Sequence, residues 1–304
     1  MSLVQVIILA IVQGLTELLP VSSSAHVIVA EKLMGLDPSS PPMTLLLVML
    51  HTGTMFAVIV YFWRQWRGTY FQSAPAFKKS AGLIILATAL TGIVGEGCIK
   101  IIEKTVFRNV PDAQIEDLFS HLELIAPALA AAGILILIAG IVEKRSMETR
   151  ITERRIIEKR SPPGSFAETN ELNARQAGLI GIVQGLCLPF RGFSRSGATI
   201  STGMLAGVAK SRAEAFSFAL AVVLTPPVVA REAMRLIHAE RITGAPHLAA
   251  ALLPSLLGAV CAFLAGLIAL KWLTQWLEGG RWYFFGIYCL IAAATVAALH
   301  WVGY

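Results

Sequence analysis

Six long apolar stretches constrain this chain more than any other feature of its sequence. They cover residues 44–63, 81–95, 124–142, 215–230, 248–270 and 282–303. A helix needs roughly 20 apolar residues to cross a bilayer core, so the stretches at 81–95 and 215–230 require flanking residues. Only 14% of the residues are charged, compared with about 25% in soluble domains. We therefore expect an all-α integral membrane protein with six transmembrane helices.

The charges between these stretches predict how the chain is oriented. Segment 64–80 carries four basic residues and no acidic one, and segment 143–175 carries eight basic residues. Both are expected on the cytoplasmic side, where basic loops are enriched. Segment 97–123, with three basic and five acidic residues, is expected outside. The net charge of +6 suits a membrane with anionic lipids and does not indicate nucleic-acid binding.

A short polar motif occurs twice. The sequence Ile-Val-Gln-Gly-Leu at residues 11–15 returns at 182–186, and each copy leads into a serine-rich segment. Because three apolar stretches follow each copy and three is odd, the second copy should be inverted relative to the first. We expect a first repeat at 1–142, a charged cytoplasmic linker at 143–175 and a second repeat at 176–304. The alternating charges at 143–160 within the linker are compatible with a solvated helix.

The two motif segments are too polar to be ordinary membrane spans. Residues 3–15 and 176–188 are predicted as half-length helices, broken by Pro20 in the first copy and by Pro189 and Gly192 in the second. Irregular backbone at membrane depth is tolerated only where protein buries it or where it lines a wet cavity. We therefore expect two re-entrant helical hairpins that bring the segment 17–26 close to Arg195.

The polar residues of the hairpins suggest the ligand. Gln13 and Glu17 lie four residues apart, on one helix face, and both offer oxygen atoms of the kind that Mg2+ or Ca2+ prefers. Arg195 offers a planar cation suited to phosphate. Serines in membrane helices can also serve packing alone, but ionisable residues at membrane depth are functional by default. This combination predicts a phosphate or diphosphate site. Further donors are expected from Ser194, Ser196, Thr199 and the backbone near Gly192 and Gly197.

The two motifs resemble those of the undecaprenyl-diphosphate phosphatase family, the bacitracin-resistance type. The first resemblance runs from Gln13 to Glu17, then through Leu-Pro-Val-Ser-Ser at 19–23 to His26. The second is Gly-Phe-Ser-Arg-Ser-Gly-Ala-Thr at 192–199, with further similarity at 214–218. The resemblance implies a hydrolase of the bacterial inner membrane that converts undecaprenyl diphosphate to undecaprenyl phosphate for cell-wall synthesis. It also implies a site near the periplasmic side.

The same resemblance implies roles for individual residues. Glu17 and Gln13 would hold a divalent cation, Mg2+ or Ca2+, and Arg195 would neutralise charge on the transferred phosphoryl group. Ser23 would be the nucleophile, and His26, three residues away, either an acid–base group or an alternative nucleophile. The expected phosphate-binding residues are Ser22, Gly192, Ser194, Ser196 and Thr199.

Several points stay open at this stage. Gln13 removes one negative charge from a position where the family pattern also permits glutamate. Arg191 stands where the family has proline, and either binds a second phosphate or extends to the membrane interface. His51 is expected to pack or hydrogen-bond, with a position lining the site as the alternative. The preferred metal, the prenyl chain length and a homodimeric state are not determined by the sequence.

A transporter is the competing interpretation. Inverted repeats with paired broken helices are typical of transporters, so the architecture alone fits a carrier or flippase of an anionic polyprenyl phosphate lipid. Glu17, Ser23 and Arg195 favour the hydrolase, because a carrier does not require a metal-binding carboxylate beside a candidate nucleophile.

Overall fold

A computed structural model describes residues 1–37, 40–106, 122–158, 172–243, 247–277 and 281–303. Within these ranges all regular secondary structure is helical, which confirms the predicted all-α class. The helices are α1 (Leu3–Leu18), α2 (Ser23–Leu33), α3 (Pro41–Thr69), α4 (Ala74–Val106), α5 (Leu122–Glu158), α6 (Ala174–Cys187), α7 (Arg195–Leu205), α8 (Lys210–Thr243), α9 (His247–Leu277) and α10 (Tyr283–Trp301).

Six of these helices are long and apolar enough to cross a membrane, as predicted: α3, α4, α5, α8, α9 and α10. Helix α4 shows how a short apolar stretch is completed, because it has 33 residues and extends beyond 81–95 in both directions. The external segment predicted to begin at residue 97 is therefore helical as far as Val106. Residues 107–121 lie outside the described ranges.

Helix α5 likewise continues past the boundary predicted at residue 142. It runs to Glu158, because the segment 143–158 contains no proline and is rich in residues with good helix propensity. The first part of the predicted charged linker is thus an extension of α5. Residues 159–171 lie outside the described ranges.

Two pairs of short helices accompany the six long ones. Helices α1 and α2 have 16 and 11 residues, and α6 and α7 have 14 and 11; each is too short to cross a bilayer alone. Both pairs start with a capping box, made by Ser2 with Gln5 in α1 and by Asn173 with Gln176 in α6. A capping box satisfies two backbone N–H groups that a helix start leaves unpaired.

The two helices of each pair are separated by a turn at the predicted place. Pro20 follows α1 directly, and Ser22, at the start of α2, has a φ of 68°, which is uncommon for a residue other than glycine. In the second pair Gly192 has a φ of 105°. Ser194 then caps α7, and its Oγ accepts a hydrogen bond from the Gly197 backbone N–H at 3.1 Å. The functional motifs therefore lie at two sharp chain reversals.

The first helix of each pair packs closely on a long helix. Helix α1 packs on α9 and α6 packs on α4. A Cβ atom on Gly14 would lie 2.7 Å from the carbonyl oxygen of Ala262, and a Cβ atom on Gly185 would lie 2.8 Å from that of Thr91. Only glycine permits this approach, and Gly14 and Gly185 occupy the same position in the repeated motif.

Helix α10 and the residue before it contact both pairs of short helices. The thiol of Cys289 lies 3.5 Å from the carbonyl oxygen of Pro20. The indole of Trp282, which is fully buried just before α10, donates to Ser201 Oγ of α7 at 3.0 Å. The segments that follow α1 and α6 are therefore fixed against one helix.

Candidate functional site

Glu17 and Arg195 form an ion pair between the two motif segments. Glu17 is the penultimate residue of α1 and Arg195 is the first residue of α7. Arg195 Nη2 donates to Glu17 Oε1 at 2.7 Å, and the side chains are only 15% (Glu17) and 24% (Arg195) exposed. The structure thus brings together the acidic and basic residues that the sequence placed in one site.

The second carboxylate oxygen of Glu17 accepts from the first motif. Ser23 Oγ donates to Oε2, and Gln13 Nε2 donates to the same atom at 3.3 Å. The predicted shared face of Gln13 and Glu17 is present, but Gln13 turns its amide N–H towards Glu17. His51 Nε2 lies 3.9 Å from Oε2. Glu17 is therefore the centre of a cluster of donors.

His51 has a larger part in this cluster than the sequence indicated. Its Nδ1 lies 2.8 Å from the carbonyl oxygen of Leu47 in its own helix, which is a hydrogen bond of the kind that we expected. Since a carbonyl oxygen only accepts, Nδ1 is the donor. Nε2 then faces Glu17, and His51 lines the site as well.

His26 makes different contacts from those expected for a base acting on Ser23. Its Nδ1 lies 2.7 Å from the carbonyl oxygen of Ser22, and its Nε2 lies 2.7 Å from the hydroxyl of Tyr288. Because Nδ1 must donate to the carbonyl, a neutral ring accepts at Nε2 from Tyr288. The hydroxyl of Ser23 bonds to Glu17 instead of His26. Tyr288 is a contact that the sequence gave no means of finding.

The predicted phosphate ligands fall into two groups. Ser22 and Gly192 lie at the chain reversals, where Ser24 Oγ accepts from the Gly192 N–H at 3.4 Å and lies 3.3 Å from Ser22 Oγ. The second group, in or next to α7, is almost completely buried and bonded within the protein. Ser194 caps α7, Ser196 donates to the Leu19 carbonyl at 3.2 Å, and Thr199 donates to the Arg195 carbonyl at 2.7 Å and lies 2.6 Å from Ser217 Oγ.

Arg195 retains a donor for a ligand. Its Nη1 atom is buried and has no hydrogen-bond partner, although Nη2 is bonded to Glu17. A buried N–H group without a partner is costly, and an arginine fork suits two oxygens of one phosphate. The bonds of Ser194, Ser196 and Thr199 hold the first turn of α7, so their contribution is to position this guanidinium.

A buried acid lies near Arg191, and the sequence interpretation missed it. Glu31 of α2 is fully buried, and neither carboxylate oxygen has a hydrogen-bond partner. The guanidinium of Arg191 is close enough to act on this carboxylate electrostatically. The residue that replaces the family proline therefore contributes a charge opposite to that of Glu31. The sequence signal for Glu31 was its position seven residues after Ser24, on the same face of α2.

The residues present can accommodate a divalent cation only with help from the substrate. Among the described residues, three or more His, Cys, Asp or Glu side chains are nowhere grouped as a metal site. Glu17 supplies one carboxylate, and Gln13 would supply one amide oxygen after its amide group turns over, because its N–H now faces Glu17. Mg2+ in phosphate-binding sites is often held by one or two carboxylates, water and the substrate phosphates, and this donor set fits that pattern.

Comparisons with known proteins identify the family of this chain. A family model described as "Bacitracin resistance protein BacA" matches residues 6–295. A protein of Acinetobacter baylyi named "Undecaprenyl-diphosphatase 2" is 54% identical over 302 residues, covering 98% of each chain. A protein of the same name from Burkholderia orbicola is 32% identical over 312 residues, covering 99% of this chain and 97% of the relative. On these matches the chain belongs to the bacitracin resistance protein BacA family.

Proposed function

We propose that this protein is an undecaprenyl-diphosphatase, which hydrolyses undecaprenyl diphosphate to undecaprenyl phosphate and inorganic phosphate. Membership of the BacA family and the shared name of its relatives support this activity. The observation that carries the assignment is the Glu17–Arg195 pair with Ser23 bonded to the same carboxylate. The relatives are named as diphosphatases, so the carrier alternative gains no support from them.

In the proposed reaction Ser23 is the nucleophile and Glu17 its base. Glu17 already accepts the hydrogen bond of the Ser23 hydroxyl, and a serine requires such a base to be activated. Glu17 takes the proton while Ser23 Oγ forms a bond to the terminal phosphorus. The bond from that phosphorus to the bridging oxygen breaks, and undecaprenyl phosphate leaves. Water then attacks the phosphoserine and releases inorganic phosphate and the serine hydroxyl.

Arg195 stabilises the charge that develops during this transfer. Phosphoryl transfer depends mainly on positioning and on neutralising the equatorial oxygens. The unpaired Nη1 is the donor available for a phosphoryl oxygen. Glu17 and Gln13 are the residues that would hold a divalent cation, Mg2+ or Ca2+, which would neutralise further charge on the diphosphate.

His26 is assigned a supporting role. For its Nε2 to act as the nucleophile, the ring would have to give up its bond to Tyr288. Ser23 needs no such change. His26, fixed by Ser22 and Tyr288, lies beside the nucleophile and is suited to handle a proton during hydrolysis of the phosphoserine.

We further propose that the two halves are inverted repeats, each with a re-entrant helical pair, with boundaries at 1–142, 143–175 and 176–304. The capping boxes at Ser2 and Asn173 support this arrangement, because they are separated by the same 171 residues as the repeated motif. The close contacts of Gly14 and Gly185 with α9 and α4 support it as well.

The charge distribution supports a site near the periplasmic side of the bacterial plasma membrane. The basic segment 64–80 includes the end of α3 and the start of α4 and is expected in the cytoplasm. His51, which faces Glu17, lies in the half of α3 away from that segment. The isoprenoid tail would stay in the lipid while the diphosphate reaches Arg195. A homodimer remains a prediction.

The test is phosphate release from undecaprenyl diphosphate by the purified protein in detergent, with and without a chelator. We expect release that requires a divalent cation and that Glu17→Ala and Arg195→Ala each reduce by at least about 1000-fold. Arg67→Ala, an exposed arginine of α3, is the matched control and should keep full activity. Full activity of the Glu17 and Arg195 variants would contradict the site, and absence of release would contradict the function.

A further inference from the structure

A cavity with both polar and apolar walls lies at the other end of α3. Its volume is about 300 Å3, and it is enclosed by the end of α3, the start of α4 and the start of α8. Trp66, which lines it, is 15 residues beyond His51, so the cavity is about 22 Å along the helix from the Glu17 cluster. It is therefore separate from the proposed active site.

The polar lining of this cavity is cationic and rich in hydroxyl groups. Among the described residues that line it, Lys79 and Arg212 are the charged ones. The hydroxyl groups come from Thr69, Tyr70, Ser80 and Ser211. Burial raises the pKa of the Tyr70 phenol, an effect that the charge of Arg212 partly opposes, so this hydroxyl stays protonated. Such a lining offers hydrogen-bond donors to an anion.

Two helix starts add to the positive potential. Ser211 and Arg212 are the second and third residues of α8, and Ala76 is the third residue of α4. Helix N-termini carry a partial positive charge and favour phosphate groups. Here they converge on the same volume as Lys79 and Arg212, which is an independent reason to expect an anionic ligand.

The other wall of the cavity is apolar. Trp66 and Phe216 are almost completely buried and line it together with Leu83. Trp66 is fixed by a 3.0 Å hydrogen bond from its Nε1 to the Ala215 carbonyl. The charged residues of α3 begin at Arg64, directly after the apolar stretch 44–63. The cavity thus lies where a membrane interface is expected, with one polar and one apolar side.

We propose that this cavity binds a phosphate-bearing anion, and that Lys79 and Arg212 are its charged ligands. Two sources share this chemistry: the headgroup of an anionic phospholipid and free inorganic phosphate. The apolar wall of Trp66, Leu83 and Phe216 fits the glycerol and first acyl carbons of a lipid. The site is independent of the hydrolysis proposed above.

The experiment measures lipid binding to the delipidated full chain in detergent by native mass spectrometry. Phosphatidylglycerol should bind more tightly than phosphatidylcholine with the same acyl chains. The double variant Lys79→Ala/Arg212→Ala should weaken phosphatidylglycerol binding by at least about tenfold. The matched control is Lys78→Ala/Arg67→Ala, which removes two exposed cations from the same helix ends outside the cavity and should leave the affinity unchanged.

Two further measurements identify the source of the bound anion and the location of its site. Competition by inorganic phosphate assigns the site to free phosphate, and lipid binding that resists phosphate assigns it to the headgroup. If phosphatidylglycerol still binds to Arg195→Ala, the lipid is bound in the cavity and not at the active site. Equal losses in the two double variants, or neither phosphatidylglycerol preference nor phosphate competition, would overturn the proposal.

Discussion

The imidazole of His26 lies parallel to the phenol ring of Tyr288, with ring centres 5.6 Å apart. Its Nε2 is 2.7 Å from the Tyr288 hydroxyl. The contact joins α2 to α10, 262 residues further along the chain. It fixes the orientation of His26 beside Ser23.

Tyr288→Phe removes this hydrogen bond and keeps the ring. We expect kcat for undecaprenyl diphosphate to fall by roughly fivefold, because a neutral hydrogen bond contributes about 1 kcal/mol. Tyr283→Phe, on the same helix, is the matched control and should leave kcat unchanged. Equal kcat values for the wild type and Tyr288→Phe would show that Tyr288 does not position His26.

Ser23→Ala and His26→Ala distinguish the two candidate nucleophiles. If Ser23 attacks the phosphorus, Ser23→Ala abolishes turnover, with a loss of at least about 1000-fold, whereas His26→Ala retains measurable activity. Rapid quenching with radiolabelled diphosphate should trap phosphate on Ser23 in the His26 variant. Ser24→Ala is the control, because Ser24 bonds to Gly192 and not to Glu17. A label on His26 in the wild-type protein would contradict the assignment.

Gln13→Glu adds a second carboxylate four residues before Glu17, on the same face of α1. More negative charge should bind the divalent cation more tightly, so half-maximal activity should be reached at a lower Mg2+ or Ca2+ concentration. The measurement is a titration of phosphate release with each metal for both proteins. Superimposable titration curves would show that Gln13 does not contribute to metal binding.

The Glu31–Arg191 interaction predicts a non-additive effect on stability. Arg191→Ala removes the positive charge near the buried Glu31 and should destabilise the protein by up to about 1 kcal/mol. Adding Glu31→Gln removes the negative charge and should restore part of that loss. Thermal unfolding of the single and double variants in detergent measures the coupling. Strictly additive changes in stability would indicate that the two charges do not interact.

Gly14→Ala tests the close contact of α1 with α9. The new methyl group would lie 2.7 Å from the Ala262 carbonyl oxygen, so the helices must separate, at a cost of about 1–3 kcal/mol. Gly92→Ala is the control, because no atom outside its own turn lies within 4 Å of the added Cβ; that variant should gain up to about 1 kcal/mol from helix propensity. Comparable thermal stability of the two variants would contradict the packing argument.

The sequence predicted the centre of the site better than its surroundings. The helical period predicted that Gln13 and Glu17 share one face of α1. The duplicated motif predicted that Glu17 lies close to Arg195. Neither signal shows which face of the 11-residue helix α7 lines the site. We therefore predicted that Ser196 and Thr199 bind phosphate. In the structure they hydrogen-bond to the Leu19 carbonyl and to Ser217 Oγ.

The remaining contacts depend on long-range packing. Nothing around Tyr288 in the sequence indicates that it meets His26, and the position of Glu31 on one face of α2 does not reveal that it lies near Arg191. The end of α4 was misplaced for another reason. Polar residues continue a helix as readily as apolar ones where no proline intervenes, so the limits of the apolar stretches did not coincide with the limits of the helices.

The ion pair between Glu17 and Arg195 exists before any substrate arrives. In the proposed mechanism an incoming phosphate binds the unpaired Nη1 of Arg195 and competes with Glu17 only for Nη2. After hydrolysis Glu17 can reclaim Arg195 and weaken its hold on the inorganic phosphate. The pair thus acts as an internal competitor that opposes product inhibition, and tight binding of phosphate is sacrificed for rapid turnover.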